Sequence, residues 1–94
     1  MAHGFLIHDD HDHVGVAVRD LQAGDSVTGV YQKSLKETRI TLREAVPLGH
    51  KVALKNLNQG DQIIEYNAVI GVATQAISVG NHVHVHNIKS VRWA

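Results

Sequence analysis

The most regular alternation along the chain lies near its end, in HVHVHN, where His82, His84 and His86 take every second position and Val83 and Val85 fill the gaps. Successive side chains of a β-strand point to opposite faces, so the spacing predicts a strand with a buried valine face and a histidine face. A helix would scatter these histidines around its axis and leave no apolar stripe. Alternating or β-branched runs predict further strands at VGVAV, ITLRE, KVAL, QIIEY and AVIGVA. KSLKETRITLREAV tolerates helix by composition. Ile40 and Leu42 alternate there with Thr41 and Arg43, which favours a strand.

Between these runs a short unit recurs: an apolar residue, two others, glycine, a polar residue, any residue, and a second apolar one. It reads LQAGDSV, VPLGHKV, LNQGDQI and ISVGNHV, around Gly24, Gly49, Gly60 and Gly80. Glycine reaches positive φ without steric cost, so each unit predicts a tight turn feeding a strand. Uneven spacing argues against a solenoid. Pro47 opens one unit, where no ladder N–H is needed, and predicts a strand boundary. The pattern as a whole predicts an all-β fold in a single domain spanning residues 1–94.

Composition narrows the setting. A chain of 94 residues buries a marginal core, and without cysteine it has neither disulfides nor a thiolate metal site. Homo-oligomerisation, or docking on a larger chain, is the expected supplement. Nine basic and nine acidic residues cancel, which removes the electrostatic reason for a nucleic-acid or anionic-lipid partner. The start, MAHGFLIHDD, has no basic segment and too short an apolar run for a secretory signal. No run is long enough to cross a bilayer as a helix. The expected location is the cytoplasm.

Eight histidines are the outlier, and they titrate where biology operates. For His82, His84 and His86 three readings stay open on spacing alone: a solvated outer face, acid/base or anion-binding groups, or a metal site. Same-face neighbours on a strand lie about 6.6 to 6.8 Å apart. An H-x-H pair such as His84 and His86 can therefore chelate an ion, but three in a row converge only with a bend, and further ligands are needed. His50, Asp9, Asp10, Asp12 or a partner subunit could supply them. HDDHDH, residues 8 to 13, is expected to be a solvated loop. His50 sits where the other turn units carry Asp25, Asp61 and Asn81, so turn capping is its plain alternative. Lys51 suits a carboxylate partner or solvent. Ser26, Ser34, Ser78 and Ser90 lie in no nucleophile-elbow context, and no phosphate-binding glycine loop is present. Tyr31 and Trp93 are large apolar surfaces that suit either the core or an interface.

Taken in order, VAVRDLQAGDSV, ITLREAVPLGHKVALKNLNQGDQI and YNAVIGVATQAISVGNHVHVHN resemble the SAF domain of the altronate/galactarate dehydratase family, over roughly residues 12 to 88. The elements ITL-x-E, P-x-GHK-x-AL and G-x-HVHxHN carry the resemblance. It implies a β-clip fold and a much larger catalytic chain as partner, a lyase that removes water from a sugar acid. A divalent metal, iron above all, is implied mainly on that large subunit. Carried over by position, the resemblance gives His82, His84 and His86 catalytic roles. His50, Lys51 and Asn87 would bind substrate, and His84 and His86 would ligate metal, shared with the large subunit. His11 and His13 fall where the family pattern is loose. The tail HNIKSVRW is similar to the small subunit of sulfolactate sulfo-lyase, in which bisulfite rather than water leaves, so sulfolactate joins the sugar acids as an implied substrate. The rival class is a non-catalytic module that binds a sugar acid or stabilises its partner. Gly15, where alanine is usual, and YNAVIG, where YG-x-x-IG is typical, depart from the pattern in packing and turns.

Overall fold

A computed structural model describes residues 3–90, and over them the chain forms nine strands and no helix. Six strands make one sheet: β1 (Phe5–Ile7), β2 (Val14–Ala17), β3 (Ser26–Tyr31), β4 (Glu37–Thr41), β5 (Lys51–Ala53) and β8 (His82–Val83), in the order β4-β3-β1-β2-β5-β8. The other sheet places β7 (Ala68–Ala73) between β6 (Gln62–Glu65) and β9 (Ile88–Ser90). β1 runs parallel to β3, and all other neighbours are antiparallel. The all-β class expected from the alternation is the one observed.

Strand periodicity divides the apolar residues between two cores. Adjacent residues of β5 separate them: Val52 packs with Phe5, Ile7, Leu21, Val27 and Leu42, whereas Ala53 packs with Val14, Ile63, Ala73, Ile77 and Val83. Phe5 is fully buried, and its ring fills the space that a side chain at Gly29 would need. Tyr31 lies partly buried against the first core. Trp93 falls outside the described residues.

All four turn glycines adopt positive φ, between 84° and 92°. In each unit the N–H of the residue after glycine (Asp25, His50, Asp61, Asn81) donates to the carbonyl three residues back. The units dock in pairs, because Leu21 and Val46 exchange both backbone hydrogen bonds, as do Leu57 and Ile77. Gly80 is needed for a second reason: a Cβ there would strike the carbonyl oxygen of Thr41. That close approach lets Arg43 N–H reach Gly80 O at 2.9 Å, curling the sheet so that the segment after β4 meets the turn before β8.

Several expectations need correction. β1 and β9 lie outside the predicted strands, and β3 is expected only as the strand that the LQAGDSV turn feeds; β1 is three residues long, too short to show a period. ITLRE leaves the ladder after Thr41, because Leu42 N–H turns to Asp25 O and Arg43 N–H to Gly80 O. HVHVHN is a strand only as far as Val83. HDDHDH is not simply solvated: Asp10 and His11 are exposed, but Asp9 and Asp12 are buried. The Asp12 carboxylate accepts from Tyr66 N–H at 3.1 Å and Asn67 N–H at 3.2 Å. Those two residues, both at positive φ, make the two-residue β6–β7 turn. Asparagine tolerates that conformation, which explains how YNAVIG dispenses with the more usual glycine.

Candidate functional site

The strand breaks at His84 because Asn87 offers the backbone another set of partners. Its Oδ1 accepts from His84 N–H at 2.9 Å, and its Nδ2 donates to His82 O at 2.8 Å. The N–H groups of Asn87 and Ile88 both return to His84 O, at 3.0 and 3.1 Å. Local side-chain bonds of this kind compete directly with a ladder. Val83 is therefore buried as expected, while Val85 sits at the turn with 80% of its surface exposed.

The bend brings together rings that a straight strand would hold apart. His84 stacks on His50 with ring centroids 4.4 Å apart, and His82 lies 5.4 Å from His84. Nδ1 of His50 and Nε2 of His82 share a hydrogen bond of 2.8 Å, in which one ring donates and the other accepts. One ligating atom each from His50, His82 and His84 falls within 4.8 Å of the other two. His86 stands 5.3 Å from His82 between centroids and stays exposed.

His50 is available for this cluster because of Pro47. In two other turn units the side chain at the polar position caps the N–H three residues back: Asp61 accepts from Asn58 N–H and Asn81 from Ser78 N–H. The matching residue before His50 is Pro47, which has no N–H to cap. The next donor, Leu48 N–H, goes to Asp20 instead. Turn capping is thus excluded for His50, and its ring turns to His82.

Glu44 supports the cluster through the backbone of His82. One of its oxygens, Oε2, accepts from His82 N–H at 3.0 Å and from Asn81 Nδ2 at 2.8 Å. Residue-by-residue reading passed over Glu44, although it is the glutamate of ITL-x-E. Burial holds the His82 imidazole below its ordinary pKa, helped by repulsion from His50, His86 and His84 and opposed by Glu44. This ring is therefore biased towards the neutral form that accepts a proton or ligates a metal.

The remaining expected site residues are placed elsewhere. Lys51 leaves from β5 towards Glu65, with 3.8 Å between Nζ and Oε1, and does not join the histidines. Burial raises the Glu65 pKa against the pull of Lys51. Asn87 is 3% exposed with donor and acceptor both committed to the turn, so it shapes the site. Asp9 pairs with Lys33 at 2.8 Å, and His13 accepts from Ile64 N–H at 3.1 Å; neither joins the cluster.

Comparison with known proteins fits this geometry. The family model for the altronate/galactarate dehydratase SAF domain matches residues 3–91. The chain belongs to that family. Over 94 residues, 99% of this chain and the whole of the relative, the SAF domain is 38% identical to the (2R)-sulfolactate sulfo-lyase subunit alpha of Chromohalobacter salexigens. The subunit of that name from Paracoccus pantotrophus is 49% identical over 55 residues, 58% of this chain and 82% of the relative. The altronate dehydratase of Bacillus subtilis is 38% identical over 79 residues, 84% of this chain but 15% of that enzyme. One SAF domain thus occurs both as a whole small subunit and as a minor part of a long chain.

Proposed function

We propose that this chain is the small, alpha-type subunit of a two-subunit lyase and acts on (2R)-sulfolactate or a related 2-hydroxy carboxylate. The observation that carries the reading is the length of the match. The chain aligns with the entire sulfo-lyase alpha subunit but with only 15% of an altronate dehydratase. On this reading, what the long enzyme holds in its other 85% is supplied by a separate partner subunit.

The reaction is a β-elimination. A base takes the proton beside the carboxylate, the electron pair forms the carbon–carbon double bond, and the bond to the neighbouring carbon's substituent breaks, releasing sulfite as a stable anion or hydroxide that takes a proton from an acid to leave as water. Imidazoles are matched to proton transfer at neutral pH and contribute typically about 10²- to 10⁴-fold. In this chain the neutral imidazole of His82, hydrogen-bonded to His50 at 2.8 Å, is suited to take that proton or to ligate a metal that activates the substrate. His84 and His86, both exposed, are open to the substrate's anionic groups as the subunit covers the large chain's site. A divalent metal, iron by family, would supply charge stabilisation for the enediolate.

Co-expression with the large chain tests the reading. The pair should co-purify, and sulfolactate, altronate or galactarate should be turned over by the complex and by neither part alone. Failure to associate would remove the lyase assignment. Association with full turnover after alanine replacement of His82, His84 and His86 together would leave a module that only stabilises its partner.

A further inference from the structure

We infer that His50, His82 and His84 form a binding site for one divalent transition-metal ion on the small chain itself. The site extends the lyase reading, which supplies its use, but its existence rests on geometry alone. Three ligating atoms lie within 4.8 Å of one another, on a turn (His50), a strand end (His82) and a bend (His84). Each arrives by a separate device. Pro47 leaves His50 no turn N–H to cap, the Glu44 carboxylate fixes the backbone of His82, and Asn87 folds His84 back onto His50.

The fit can be judged from distances. Nitrogen donors around a tetrahedral ion, with metal–nitrogen bonds near 2.1 Å, stand roughly 3.4 Å apart. The 2.8 Å contact of His50 with His82 must open a little, and the third ring must swing in. His50 and His82 are half-buried and His84 is exposed, so small side-chain rotations suffice. The nearby carboxylate oxygen of Glu44 is engaged by Asn81 and His82, and leaves an all-imidazole donor set. Such donors select zinc, iron, cobalt or nickel over magnesium and calcium, which require oxygen. Three protein ligands on an open surface leave a position for water or substrate, the pattern of catalytic rather than structural metal sites.

The metal-stripped full chain should be titrated with Co²⁺, followed by visible absorption, and with Zn²⁺ by calorimetry. One ion per chain is expected. His50→Ala, His82→Ala and His84→Ala should each weaken binding by about tenfold or more, while His86→Ala leaves it unchanged and Mg²⁺ does not compete. Imidazole nitrogen NMR of the unsubstituted chain gives the same test without variants, with Zn²⁺-induced shifts confined to those three rings. Absence of stoichiometric binding, or shifts centred on His84 and His86 without His50, overturns the inference. Should the chain activate its partner yet bind no ion, this inference fails and the lyase reading stands. Stoichiometric metal on a chain that ignores the partner has the opposite meaning.

Discussion

Replacing Asn87 by alanine removes one acceptor and one donor that hold the His84 bend. At roughly 0.5 to 1.5 kcal/mol for each hydrogen bond, Asn87→Ala should cost about 1 to 3 kcal/mol, read from urea unfolding. The His84 ring should also lose its contact with His50, visible as chemical-shift changes at both rings. Unchanged shifts would mean that the bend is held by the backbone alone. Asp9 gives a prediction in pH. Its pairing with Lys33 and the backbone bond from His11 hold its carboxyl at about 2, below the ordinary 3.8. A depressed carboxyl stabilises the fold above the unfolded value, and that contribution fades as pH falls from about 4 through about 2. The stability gap between the native chain and Asp9→Asn should therefore close over that range, and a constant gap would contradict the pairing. At this scale the sequence exposed the histidines but not their convergence. Alternation is a backbone period, and one asparagine with good local partners overrides it. His50 was masked in the same way, since only its alignment with Asp61 and Asn81, seen beside Pro47, reveals what it does not cap.

Among the elements, those with clear alternation were the legible ones. AVIGVA is strand over its full length, and KVAL and QIIEY lose only their last residue. The repeated glycine units were legible too, because positive φ is a requirement that few residues meet. β1 was not, although it lies between β2 and β3 within the larger sheet. Three residues carry no period, and their place is set by contacts distant in sequence, above all Phe5 against Gly29. Gly29→Ala should therefore cost about 1 to 3 kcal/mol through forced movement of the Phe5 ring. Thermal or urea unfolding would show it, and a variant of native stability would mean that the ring relocates freely. HDDHDH misled for a related reason: a polar run looks solvated until a hairpin arrives whose N–H groups need Asp12.

For the whole molecule, the histidine cluster lies where segments from three parts of the chain meet: Glu44 after β4, the Gly49–His50 turn, and the turn after β8. The curl of the larger sheet that joins Arg43 to Gly80 creates this meeting point, so fold and site have one origin. The family was legible from ordered motifs, whereas the proposed division of labour with a larger chain rests on the lengths of the relatives. The most direct measurement is sulfolactate turnover by the chain reconstituted with its large partner, set beside the same pair carrying alanine at His82, His84 and His86. The account predicts a stable complex in both cases, with turnover reduced at least about 100-fold by the substitutions. Turnover by the large chain alone at the rate of the pair would contradict it.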